Sequence, residues 1–158
     1  MPRAHLIADL EEFARSGQLG PLAIGLSRNQ VFALLGAPAD WLKEKPVNES
    51  AIWKYGDLEL YFEGDHLHMI HFDSFEVPVA GGVLQLSPWV LCRGLPLEDL
   101  EKALRRATIP FTSTPDRWNP GCMRVVTSAG VSFLIQIEGQ AHDLGLCQFG
   151  RGAGSHAK

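Results

Sequence analysis

A pattern that occurs twice along the chain constrains the fold more than any single motif. Leu22-x-x-Gly25-Leu26, followed by Val31 and Leu35, recurs as Leu91-x-x-Gly94-Leu95, followed by Leu100 and Leu104, each pair 69 residues apart. Further on, Leu58, Leu60 and Phe62 correspond to Val131, Phe133 and Ile135 at a separation of 73, and Glu63-Gly64 to Glu138-Gly139 at 75. A slowly growing separation is what small loop insertions in a second copy produce. Each copy reads as Gly-Leu, a helix, a loop, then an antiparallel strand pair closed at Glu-Gly. The chain's 158 residues accommodate two such copies, and a lone unit of roughly 70 residues buries little apolar surface. The expectation is an α+β fold: two tandem helix-plus-antiparallel-strand units sharing one sheet, with helices on one face. Residues 1–80 form the first unit and 81–149 the second, within a single compact domain, and 150–158 read as a disordered tail.

Local patterns fill in the elements. Leu6, Ile7, Leu10, Phe13 and Ala14 recur at helical spacing, and Ser16-Gly17 stops that helix. Ser27-Arg28-Asn29-Gln30 is a capping box opening a second helix, with Val31, Leu34 and Leu35 buried and Gly36 and Pro38 ending it. A third spans Leu97 to Arg106, with Glu98, Asp99 and Glu101 early and Arg105 and Arg106 late, matching the helix dipole. Strands are predicted at 51–55, 57–63, 66–72, 83–86, 123–127, 131–137 and 142–148, the clearest being Leu58, Leu60 and Phe62 in strict alternation. Glu63-Gly64-Asp65 is a tight turn, and Asp40 to Lys43 an edge strand or a loop.

Charge and cysteine usage narrow the function classes. Fourteen Lys and Arg against 18 Asp and Glu give a net charge of −4 with no basic cluster, which argues against nucleic acid and anionic membrane. No apolar stretch is long enough to span a membrane, and Asp9, Glu11 and Glu12 interrupt the start where a secretory signal needs an apolar run. Cys92, Cys122 and Cys147 are odd in number and widely spaced, which implies reduced thiols and a cytoplasmic location.

The run Ile24-Gly25-Leu26-Ser27 through Val31, Leu34-Leu35-Gly36-Ala37-Pro38, then Trp53-Lys54-Tyr55-Gly56 and Leu58-Glu59-Leu60-Tyr61-Phe62-Glu63-Gly64-Asp65, resembles a known repeat. It is similar to the unit of β-lactamase-inhibitor-protein-like folds and of the SmpA/OmlA outer-membrane assembly lipoproteins. The resemblance covers residues 22–73 closely and 91–146 more loosely, with Arg105 in place of the helix-ending Gly and Pro96 in place of the capping Ser. It implies tandem α/β units with helices on one side of an antiparallel sheet and the other side available to a partner. Without a leader or a lipid-bearing cysteine, the lipoprotein role is not implied.

Several side chains carry candidate chemistry. His66-x-His68 places two imidazoles on one side of a strand, about 7 Å apart, as two zinc ligands require. His71 falls on the opposite parity unless a bulge intervenes, and the competing reading is a polar sheet face with Leu67 and Met69 in the core. Asp57, Glu59 and Glu63 project from one side of a strand with Tyr61 between the glutamates, a surface suited to a partner more than to acid–base work. Thr114 to Gly121 is a loop carrying Arg117-Trp118, side chains that anchor interfaces, unless Trp118 folds back over the core. No nucleotide-binding, hydrolase or zincin motif occurs. The reading is a non-enzymatic protein-binding module of the inhibitor or immunity type, without cofactor, acting as monomer or homodimer. Its contacts are Glu59, Tyr61, His66, His68, Arg117 and Trp118, and its acidic balance suits a partner with a basic site. The alternative is a small metal-binding protein or enzyme built on the His66/His68 strand.

Overall fold

The computed structural model describes residues 5–153. Ten strands and three α-helices follow in the order β1 (Leu6–Asp9), α1 (Leu10–Ser16), α2 (Arg28–Leu35), β2 (Asp40–Trp41), β3 (Ile52–Tyr55), β4 (Leu58–Glu63), β5 (His66–Phe72), β6 (Leu84–Ser87), α3 (Leu97–Arg106), β7 (Phe111–Pro115), β8 (Cys122–Thr127), β9 (Ser132–Gln136) and β10 (Gly145–Gly152). Eight of these strands form one antiparallel open sheet in the order β2-β3-β4-β5-β10-β9-β8-β7. The last strand of the chain thus lies at the middle, between four strands from 40–72 and three from 111–136.

The helices form where the sequence supplies caps. Ser27 Oγ accepts from Gln30 N while Gln30 Oε1 accepts from Ser27 N, the reciprocal pair expected of the capping box. α3 matches its expected bounds, although Pro96 at its N-cap offers no side-chain acceptor. The buried stripes Val31 and Leu35, Leu100 and Leu104, and Leu10 and Phe13 join the inward residues of β3, β4, β5, β9 and β10 in one core. At its centre Phe149 of β10 stacks on Phe72 of β5 (4.6 Å between centroids) and on Phe133 of β9 (5.7 Å).

Both Gly-Leu pairs make the same bridge to the sheet. Gly25 N donates to Leu67 O (2.8 Å) and Leu67 N to Leu26 O (2.7 Å); Gly94 N donates to Leu146 O and Leu146 N to Leu95 O (both 2.9 Å). Immediately beyond each bridge the strand carries an extra residue, His68 in β5 and Cys147 in β10, as a β-bulge.

Three expectations are corrected. Leu6 to Asp9 is a strand, not the start of α1: it pairs in parallel with β6, Ala8 is fully buried while Ile7 is 69% exposed, and Asp9 caps the helix by accepting from Glu11 N (2.8 Å). That pairing joins residues 6–9 to 84–87. Of the tail expected from Gly150, Gly150, Arg151 and Gly152 are instead held in β10 against β5, and residues 154–158 lie outside the described residues. Finally, Phe111–Pro115 is a strand that takes in the first two residues of the expected loop.

Candidate functional site

The side of the sheet opposite the helices is where most of the candidate side chains stand. Register aligns one row across it: Asp40, Lys54, Glu59, His71, Gly150, Ser132, Val126 and Thr112, on eight successive strands. Tyr61, Met69 and Gly152 form a second row, and Gln148, Leu134, Arg124 and Thr114 a third. Between them, where β5 meets β10, Met69, His71, Arg124, Ser132 and Gln148 surround a depression of about 240 Å³. Gly150 permits it: a Cβ there would overlap the Ile70 carbonyl, so only glycine lets the two backbones approach this closely. Leu134 belongs to this face and not to the core cluster, yet is only 3% exposed between Gln148 and Arg124.

The polar groups of the face are engaged with one another. Tyr61 Oη donates to Glu59 Oε2 (2.7 Å), Lys54 Nζ lies 3.9 Å from the same carboxylate, and the Tyr61 ring meets His71 edge-on at 6.2 Å. Burial, then the bond to Glu59, pushes the Tyr61 phenol up, so it stays a donor. Across the depression Arg124 Nε donates to Asp116 Oδ1 and its Nη1 to Ser132 Oγ, both at 2.6 Å. The thiols of Cys122 and Cys147 are both pushed up, primarily by burial, and secondarily by Asp116 for Cys122 and by Cys122 for Cys147. Protonated thiols are poor nucleophiles.

Asp116 also organises the Trp118 loop. Its side chain is 2% exposed, and its Oδ2 accepts from Trp118 N (3.1 Å), Asn119 N (2.8 Å) and Asn119 Nδ2 (2.6 Å). Burial pushes this carboxyl up, but the bonds from Asn119 and Arg124 outweigh it and hold its pKa at about 2. The loop so fixed presents Trp118 at 79% exposure, with the Arg117 guanidinium 5.5 Å from its ring centre. Trp118 does not fold over the core.

The structure brings only some of the expected residues together. Glu59 and Tyr61 sit on the face beside the depression. His66 stands exposed at the start of β5, and His68 occupies the bulge with Nδ1 3.1 Å from Glu63 Oε2, at the end of the strand remote from His71. Arg117 and Trp118 lie at the other end of the sheet, beyond β10. No three of His, Cys, Asp and Glu converge as a metal site among the described residues. The bulge also moves Met69 out of the core and onto the face, with Ile70 buried in its place. His71, Arg124, Ser132 and Gln148 were missed as site residues. For His71 and Gln148 the signal is the spacing Leu67-x-x-Ile70 and Leu146-x-x-Phe149: an apolar interval of three inside a strand marks a bulge, and with it a change of parity.

No helix among the described residues is long and apolar enough to cross a membrane. Comparison of the chain with known protein families, with curated proteins and with solved structures gave no match.

Proposed function

We propose that the chain is a non-enzymatic protein-binding module of two tandem α/β units, as in β-lactamase-inhibitor-like folds, whose helix-free sheet face receives a partner protein. The observation that carries this reading is the face itself: half-buried polar and aromatic side chains arranged in register around a depression at the joint between β5 and β10. Tyr61 and the Trp118 loop are separated by five or so strand spacings, about 24 Å at about 4.8 Å each. A surface of that span suits a protein, since a standard interface covers roughly 800 Å² per partner. Trp118, rigidly held and exposed, is the kind of side chain that anchors such an interface. Glu59, Asp65 and Asp116 are already paired with Lys54, Arg28 and Arg124, so attraction to a basic partner falls to Glu63 at the end of β4 and Asp73 just beyond β5. Engagement of the face's acids and bases with each other supports binding over acid–base catalysis, and three free cysteines fit the reducing cytoplasm.

The test is partner capture from the native host with the chain and three variants. Tyr61→Arg and Gln148→Arg place bulk on the sheet face; Glu98→Gln changes an exposed residue of α3. The expected result is a protein retained by the wild type and by Glu98→Gln and lost with both face variants. Retention by the face variants, or equal loss with Glu98→Gln, overturns the reading.

A further inference from the structure

A second concave site lies on the helix side, remote from the sheet face. Glu11 of α1, Trp89 and Val90 of the segment after β6, and the α3 residues Asp99, Lys102 and Arg106 surround a cavity of about 600 Å³, floored by the nearly buried Leu95 and Ala103. That volume is in the range of small-molecule pockets. Its helical walls are tied together, because Arg15 of α1 donates from Nη2 to the Ala107 carbonyl at the end of α3 (3.1 Å).

Backbone strain is concentrated at its rim. Among the described residues, two residues other than glycine have positive φ, Trp89 and Thr108, both at 56°. Trp89 forms part of the wall, in a turn closed by Leu91 N donating to Pro88 O (2.9 Å). A bulky residue in that conformation is a genuine outlier, where glycine, asparagine or aspartate is the rule. Thr108 directly follows the lining residue Ala107 and occupies the position after α3 where glycine usually ends a helix; its N donates to Arg105 O (3.1 Å). Strain of this kind persists where the surroundings hold it in place, and it clusters at ligand sites. For Trp89 the result is a large flat side chain partly buried against the core and facing the cavity.

The charges give the ligand's chemistry. The side chains of Lys102 and Arg106, one turn apart on α3, make neither an ion pair nor a hydrogen bond with any described residue. Glu11 is engaged by Arg15 at 3.7 Å, whereas the Asp99 carboxylate, one turn before Lys102, has no ion-pair or hydrogen-bond partner among the described residues. The C-terminal half of the cavity is therefore cationic, and its middle is apolar.

We infer that this cavity binds a small amphipathic anion, with an apolar or aromatic body against Trp89 and Leu95 and its acidic group at Lys102 and Arg106. A carboxylate and a phosphate present the same chemistry to these cations, and Asp99 excludes a second acidic group at the other end. The site is separate from the sheet face and does not depend on the function proposed for it.

The probe is 4-phenylbutyrate, compared with its uncharged amide and with phenethyl phosphate. The readout is the indole N–H of Trp89 in nitrogen-15 NMR, assigned with Trp89→Phe, and the indole of Trp118 serves as internal control. The expected result is a saturable shift of Trp89 alone with one or both acids, none with the amide, and affinity weakened roughly ten-fold or more in K102Q/R106Q. Those two side chains are exposed, so the rest of the amide spectrum should be preserved. Absence of a saturable shift with either acid, equal binding of the amide, or undiminished affinity in the double variant overturns the inference. The relative affinities of carboxylate and phosphate identify the acidic group.

Discussion

The regions around the two Gly-Leu bridges are built on the same hydrogen bonds and differ in how tightly they close. At Gly25 a Cβ would meet no atom within 4 Å, and His66, the residue before Leu67, pairs with Ser27 and is exposed. At Gly94 the facing residue is Gly145, and a Cβ on Gly145 would fall inside the Gly94 backbone. The second region is thus packed backbone against backbone, while the first leaves room. The helices that follow differ as well. α2 carries the reciprocal cap and a buried Arg28, whose guanidinium bonds the Gly64 and Ser50 carbonyls and lies 4.8 Å from the Phe62 ring. α3 has no side-chain cap, ends on a strained threonine and borders the larger cavity. Equivalent hydrogen bonds hold the shared frame, and the features suited to binding gather where the second region departs from the first.

Substitutions can break or sharpen that contrast. Gly145→Ala should be the most damaging, costing about 3 kcal/mol or more because backbone must move; a collapse of the urea midpoint would show it. Asp116→Ala should cost about 2 kcal/mol, since it strips the Trp118 loop of three hydrogen bonds and Arg124 of its carboxylate partner. The sign of its pH dependence follows from a pKa lowered from 3.8 to about 2. Asp116 contributes its full stabilisation above pH 4 and loses it as the pH falls through about 2. The difference in Tm between wild type and Asp116→Asn should therefore shrink across that interval, and a constant difference would refute it. Gly25→Ala, with space for its methyl, should cost only about 1 kcal/mol, the penalty of holding alanine at φ 98°. Near-equal losses for Gly25→Ala and Gly145→Ala would erase the contrast. Thr108→Gly should have the smallest effect and the opposite sign, raising stability by about 0.5 kcal/mol as relief of strain outweighs a more flexible unfolded chain and the loss of an exposed hydroxyl bond.

Sequence reasoning recovered those parts of the fold whose cause is local. α2 and α3 were legible because caps, dipole charges and apolar spacing lie within ten residues, and β4 because Leu58, Leu60 and Phe62 alternate without interruption. β1 was not, since its partner is 78 residues away (Leu6 with Leu84) and its apolar residues overlap the helical spacing of α1. β7 was missed because Thr112, Ser113 and Thr114 give no apolar alternation on an edge strand. At the candidate site, Glu59 and Tyr61 were readable from strand parity. The place of His71 and Gln148 on this face turned on two bulges that shift the parity, and Arg124 was hidden because the depression is formed by a join between distant strands.

The central position of β10 has a consequence for synthesis. A ribosome delivers residues 145–152 after every other strand of the sheet, yet both neighbours of that strand are edges until it arrives. β5, with Leu67, Ile70 and Phe72 ready for burial, must wait through more than seventy residues with its hydrogen-bonding edge open, a recognised route to aggregation. The nascent chain therefore depends on residues 145–152 to join its two groups of strands into one sheet.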